Sequence, residues 1–224
     1  MNYFYLYIFL LVCFIIAVSY LNTYMSTYKE SFNSNKQSFI LLGDSILKND
    51  AYVSDGKSVD ILLRERTNEK SICLARDNSK IVDIYSQIEK IPNDVNTNYT
   101  TVFLSAGGND ILTHYVEQEN NSKDSSILKT IFAAYKKVIK SIRNKLPNAN
   151  IVLLDIYYPD NMKYKQYHSI INEWNNMIYS YSNKNNYSVL KISGILTHSE
   201  DFSLGIEPSA VGSKKLVETI LSSY

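Results

Sequence analysis

Short apolar runs alternate along this chain with segments whose apolar positions recur every three or four residues. The runs are Phe39–Leu42, Ile72–Ala75, Thr101–Ala106, Ile151–Ile156 and a weaker one over Ser188–Ile192. Each is too short for a globular helix and gives way to turn-forming residues, as strands buried on both faces of a parallel sheet do. Between them, Val59–Arg66 and residues 81–88, 125–146 and 167–181 carry helical spacing, and Ala210–Leu221 reads as a terminal helix. In the long segment Ile127, Leu128, Ile131, Ala134, Val138 and Ile142 share one face, and the lysines line the other. The alternation predicts a three-layer α/β/α sandwich around a five-stranded parallel sheet. The polar residues after the strands then gather at one sheet edge, where open α/β sheets bind ligands.

Before residue 37 the pattern changes. Tyr3–Tyr20 is uncharged and strongly apolar. At about 1.5 Å per residue such a helix just spans a hydrocarbon core of roughly 30 Å. It predicts an N-terminal hydrophobic helix over residues 1–21, either a transmembrane signal anchor or a signal peptide cleaved near Ala17 and Ser19. Length and the missing basic flank favour the anchor, which makes the membrane a partner. Residues 22–36 read as a polar linker and residues 37–224 as the folded domain. Membrane-anchored or secreted, that domain is expected outside the cytosol.

Charge removes one class of partner. Lys and Arg number 23 against 22 Asp and Glu, a net charge of +1, which leaves no electrostatic footprint for nucleic acid. Of the two cysteines, Cys13 lies in the apolar run and Cys73 in a predicted strand, so no disulfide framework is expected. The three histidines are scattered, without ligand spacing, and no metal or other cofactor is implied. His114 and His168 receive no role, and Trp174 with Ile170, Ile171 and Ile178 reads as helix packing.

The strand ends carry the chemistry. Gly43-Asp44-Ser45 follows the first strand, Asp77-Asn78-Ser79 the second and Gly107-Gly108-Asn109-Asp110 the third. Acyl transfer needs a nucleophile and donors aimed at the tetrahedral oxyanion. Ser45 is the candidate nucleophile; its N–H, the Asn78 N–H and the Asn109 side-chain amide are candidate donors. The serine and asparagine blocks, on strand ends at this separation, resemble those of the SGNH (GDSL-type) hydrolases over nearly everything after residue 37. The resemblance implies a flavodoxin-like fold and an esterase acting through a Ser45 acyl-enzyme on an ester of a carbohydrate or lipid. It implies an oxyanion hole of Ser45, Asn78 and Asn109, with Asp44 and Gly108 in support. Asn78 stands where the family has glycine. That role uses the backbone N–H, and asparagine tolerates the left-handed conformation.

The last block departs further. The family's Asp-x-x-His-Pro-Ser corresponds here to Leu204-Gly205-Ile206-Glu207-Pro208-Ser209. Leu204 replaces the acid and Glu207 the histidine, as in an atypical bacterial branch that this stretch also resembles. Three readings stay open. Glu207 is the base, its pKa lifted by burial from about 4.3. His198, nine positions earlier, reaches in as an alternative base. In the third, Ser45 is not activated and an inactive domain binds glycan or lipid at a membrane surface. Each site residue also has a plainer role: Ser45 as a helix cap, Asn109 in a turn, Glu207 as a first-turn acid.

Overall fold

The computed structural model describes residues 11–23, 37–117, 125–159 and 161–224. Residues 11–23 form a helix, α1, with exposed side chains. At 1.5 Å per residue this stretch rises only about 20 Å, and no described helix is long and apolar enough to cross a membrane. The expected spanning helix is therefore not seen; its first ten residues and most of the expected linker lie outside the described residues. Ser38–Tyr224 is a compact unit of its own.

In that unit β1 (Ser38–Gly43), β2 (Ser71–Cys73), β3 (Thr100–Ser105), β4 (Asn150–Leu154) and β5 (Ser188–Leu190) form one parallel sheet in the order β2-β1-β3-β4-β5. β1 pairs with β3 over its whole length, from Ser38 opposite Thr100 to Gly43 opposite Ser105. The chain steps from β1 outward to β2 and then returns to the other side of β1. Connections leave in opposite directions there, so a crevice opens between the carboxyl ends of β1 and β3.

Alternation along the strands divides the core. Ile40, Leu42, Val102, Leu104, Ile151 and Leu153 pack against one layer, α3 (Ile84–Glu89), α5 (Ser125–Lys145) and α7 (His168–Asn185). Phe39, Leu41, Phe103, Val152 and Leu154 pack against the other, α2 (Val59–Arg66) and α8 (Ala210–Ser223). Two short helices, α4 (Gly108–Ile111) and α6 (Met162–Lys165), lie at the carboxyl edge. The three-layer architecture agrees with the hydrophobic pattern.

Strand ends differ from that pattern where other groups take over the ladder. Leu74 and Ala75 both donate their N–H to the Leu41 carbonyl, which ends β2 at Cys73. Ile156 leaves β4 because the buried Asn175 amide bonds its N–H and its carbonyl, at 2.8 and 2.7 Å. Burial pushes the Cys73 thiol up to about 12, which disfavours the nucleophilic thiolate.

One element escaped the pattern altogether. β6 (Phe202–Ser203) and β7 (Glu207–Pro208) form an antiparallel pair joined through Leu204 and Gly205, both at positive φ. Asp201, fully buried, anchors this hairpin. It accepts the N–H groups of Thr197 and His198, each at 3.0 Å, and the Lys215 amine at 2.6 Å. Burial opposes its ionisation, but Lys215 and the two N–H donors win and hold the carboxyl below its ordinary value. A depressed folded-state pKa gives stability that is full above the unfolded value, about 3.9, and lost as pH falls through the folded one. Asp201→Ala is expected to cost about 3 kcal/mol in urea unfolding at pH 7 and to flatten the acid arm of stability against pH.

Candidate active site

The site begins where β1 meets β3. Gly43 has φ +131°, and a Cβ there would lie 1.8 Å from the Ser105 carbonyl oxygen. That close approach sets the loop after β1 beside the start of α4. Asp44 turns inward, and its Oδ1 accepts the Ile46 N–H at 3.2 Å and the Ser105 hydroxyl at 2.7 Å. Burial pushes its carboxyl up to about 7; the Ser105 and Ile46 donors oppose this, and the Glu207 charge adds to it.

A buried amide locks the three strand-end loops together. Gln87 on α3 accepts the Gly43 N–H at 2.7 Å and donates to the Gly43 carbonyl at 2.8 Å and the Ser79 hydroxyl at 3.2 Å. The Ser79 carbonyl in turn accepts from Asn109 Nδ2 at 3.0 Å. One proton of the Asn109 amide is thus used for positioning and the second is left for a ligand. Asn78 adopts the left-handed conformation expected of it, φ 57°. The N–H groups of Ser45 and Asn78 bond no described residue. Gly107, at φ +104°, leaves room for the Trp174 ring, which a Cβ would meet at 2.2 Å. Trp174 is therefore a helix-packing residue that also supports the asparagine block.

Glu207 comes from the far end of the chain. Its carboxylate and the Ser45 hydroxyl face the same cavity, close enough for the hydroxyl to favour the ionised form, while Glu207 Oε2 is buried without a partner. Burial raises the Glu207 pKa; the nearby Ser45 hydroxyl opposes that, and the charge of Asp77 reinforces it. Its neighbours in the chain are clamped on both sides. The Tyr157 hydroxyl donates to the Ile206 carbonyl. Asn49, fully buried, donates to the Pro208 carbonyl at 2.8 Å and to the Ser213 hydroxyl at 2.6 Å. Asn49 also accepts the Val59 N–H at 2.9 Å.

Ser45, Asn109 and Glu207 line one cavity of about 70 Å³, whose remaining wall includes Gly108, Ile46, Ala106, Ile171 and Ile192. Asn78 lies outside it, on a second cavity that Asn109 and Glu207 also border. His198 is exposed and lines neither, because the bonds from Thr197 and His198 to Asp201 hold that turn on the α8 side. Of the two bases considered, only Glu207 meets Ser45.

No family model matches the sequence, and no curated protein matches it. Solved structures do. A lipolytic protein of the G-D-S-L family from Veillonella parvula superposes with a TM-score of 0.64 at 17% identity, over 84% of this chain and 98% of that one. The fold is that of the GDSL lipolytic proteins. Phospholipase A1 from Streptomyces albidoflavus superposes with a TM-score of 0.63 at 15% identity, over 84% of this chain and 99% of that one. A Geobacillus acetyl-xylooligosaccharide esterase variant matches at TM-score 0.58 and 12% identity, over 83% and 93% of the two chains.

Gln87, Asn49, Tyr157 and Ser105, which hold this GDSL-fold site in shape, carried no signal in the sequence. A glutamine in an amphipathic helix reads as a surface residue until the neighbouring strand is seen.

Proposed function

We propose that the chain is a serine ester hydrolase that works through a Ser45 acyl-enzyme on an ester of a carbohydrate or lipid. The observation that carries this reading is the meeting of the Ser45 hydroxyl, the half-buried Glu207 carboxylate and the Asn109 amide on the wall of one mostly apolar cavity. Glu207 takes the Ser45 proton as the oxygen attacks the ester carbon. The Ser45 and Asn78 N–H groups and the free Asn109 proton hold the oxyanion. Glu207 returns the proton to the departing alcohol, and water releases the acid by the same steps in reverse. Burial serves this chemistry because a carboxylate of ordinary pKa is a poor match for a serine hydroxyl. No cofactor enters. The N-terminal apolar run, as an anchor or leader, places the reaction outside the cytosol.

The structural neighbours include a lipolytic protein, a phospholipase and an acetyl-xylooligosaccharide esterase, which supports this class of reaction. A second reading draws on the absence of an imidazole from the two cavities: a silent domain that binds glycan or lipid without turnover. A short-chain aryl ester separates the two. Mass spectrometry of the quenched protein is expected to find the acyl group on the peptide carrying Ser45. Turnover at the buffer rate with no adduct would leave only the binding reading.

Asp77 offers a test of the base. Its Oδ2 accepts from the Tyr52 hydroxyl at 2.8 Å, and its charge raises the Glu207 pKa. The ionised Glu207 is the active form, so activity falls as pH drops through its pKa. Asp77→Asn is expected to move that acid limb of kcat/KM to lower pH, an effect that salt weakens.

A further inference from the structure

The second cavity, of about 370 Å³, lies against the first and shares Asn109, Leu112, Tyr164, Ile206 and Glu207 with it. Its other lining residues are Asn78, Lys80, Thr113 and Lys163. The two chambers differ in chemistry. The one that holds Ser45 is small and mostly aliphatic or aromatic away from the reacting groups; the other is larger and lined by hydrogen-bonding side chains. Meeting at Asn109 and Glu207, they divide an ester into an acyl side and an alcohol side.

We infer that the alcohol side of the substrate carries an anion, phosphate or carboxylate, recognised by Lys80 and Lys163. This rests on the ester-hydrolase reading of Ser45. Apart from Glu207, both ionisable groups of known charge in the lining are ammonium groups, which present donors and no acceptor. Among the described residues neither lysine is in an ion pair. The carboxylates near Lys80 are turned to backbone: Asp110 accepts the Ile81 N–H at 3.1 Å and Asp83 the N–H of Lys80 itself at 2.9 Å. The Lys163 amine stands 5.4 Å from the centre of the Tyr164 ring, the ring that borders both chambers. An anion between these two amines is directed to the alcohol chamber, because the apolar chamber gives a charge no counterion. The ester carbonyl is then left beside Ser45 and Asn109.

The test compares two acetyl esters that differ only in the anion, 1-acetylglycerol and 1-acetylglycerol 3-phosphate. At low salt kcat/KM is expected to favour the phosphorylated ester by roughly tenfold, and the preference should shrink as salt rises. In the Lys80→Gln, Lys163→Gln double variant the ratio of the two should approach one, and Lys80→Arg, Lys163→Arg should restore much of it. An equal rate on both esters in the native protein, or a ratio that the double Gln variant does not change, overturns the inference. Presenting the acetyl glycerophosphate on a lipid in phosphatidylcholine vesicles assigns the source. Faster turnover there makes the anion a lipid headgroup, and equal or slower turnover makes it a soluble phosphate, both consistent with the lysine site. If neither ester is cleaved, calorimetric titration of Ser45→Ala with glycerol 3-phosphate and with glycerol decides. Binding of the phosphate alone, lost on removing the lysines, upholds the anion site although the hydrolase reading has failed; no binding sinks the site as well.

Discussion

Ser45→Ala is expected to reduce kcat/KM for a short-chain aryl ester by roughly 10⁴–10⁶-fold, and Glu207→Gln by about 10²–10⁴-fold. The first removes the oxygen that bonds to the acyl carbon. The second keeps shape and leaves an amide oxygen to accept from Ser45, but it removes the group that can hold the proton. Because the two act as a unit, the double variant is expected to be no slower than Ser45→Ala alone. The pH profile carries the same information. Burial sets the Glu207 pKa above the ordinary glutamate range, so the native enzyme should lose activity toward acid earlier than an exposed glutamate would require. Full activity in Glu207→Gln with loss in Ser45→Ala would move the base elsewhere. His198→Ala, at an exposed residue outside both cavities, serves as the comparison and is expected to retain the native rate.

Gly43→Ala is expected to cost more than about 4 kcal/mol, a large part of the roughly 5–15 kcal/mol by which such domains are stable. Two causes add. At φ +131° an L side chain is strained by about 1–3 kcal/mol, and its Cβ would sit 1.8 Å from the Ser105 carbonyl oxygen. That oxygen is backbone in a strand paired to β1 over its whole length, so it has little freedom to retreat. Relief means separating β1 from β3, which also pulls Ser45 from Asn109. Gly108→Ala is the control: a Cβ there meets nothing within 4 Å, so its unfolding midpoint should stay close to native. Urea titration followed by circular dichroism reads both, and equal midpoints for the two would contradict the packing of β1 on β3.

The layers of the fold could be read from the chain because burial on both faces leaves a local trace. Phe39–Leu42 and Ile151–Leu154 are apolar without alternation, and α5 shows its one apolar stripe. The serine and asparagine blocks were equally legible, since the polar residues that end a strand stay adjacent to it in sequence. The N-terminal run shows where the reasoning stops. Its apolarity is a sequence fact, whereas the described part of α1 is too short to span a bilayer.

What remains was decided by contacts between distant segments, which leave no periodicity to detect. The order β2-β1-β3-β4-β5 and the crevice it opens are properties of pairing. Gln87 reaches Gly43 across 44 positions and Asn49 reaches Pro208 across 159, so neither looks different from a solvated side chain until the chain has closed. In the sequence Glu207, inside the last block, was the first candidate for the base and His198, nine positions earlier, the alternative. A hairpin of two-residue strands, turned by a leucine at positive φ, brought one to Ser45, and the Asp201 anchor kept the other away. Hydrophobic pattern and strand-end polarity, which act locally, determined the sandwich and its polar edge; long-range hydrogen bonds, which do not, decided which of the two candidate bases meets the serine there.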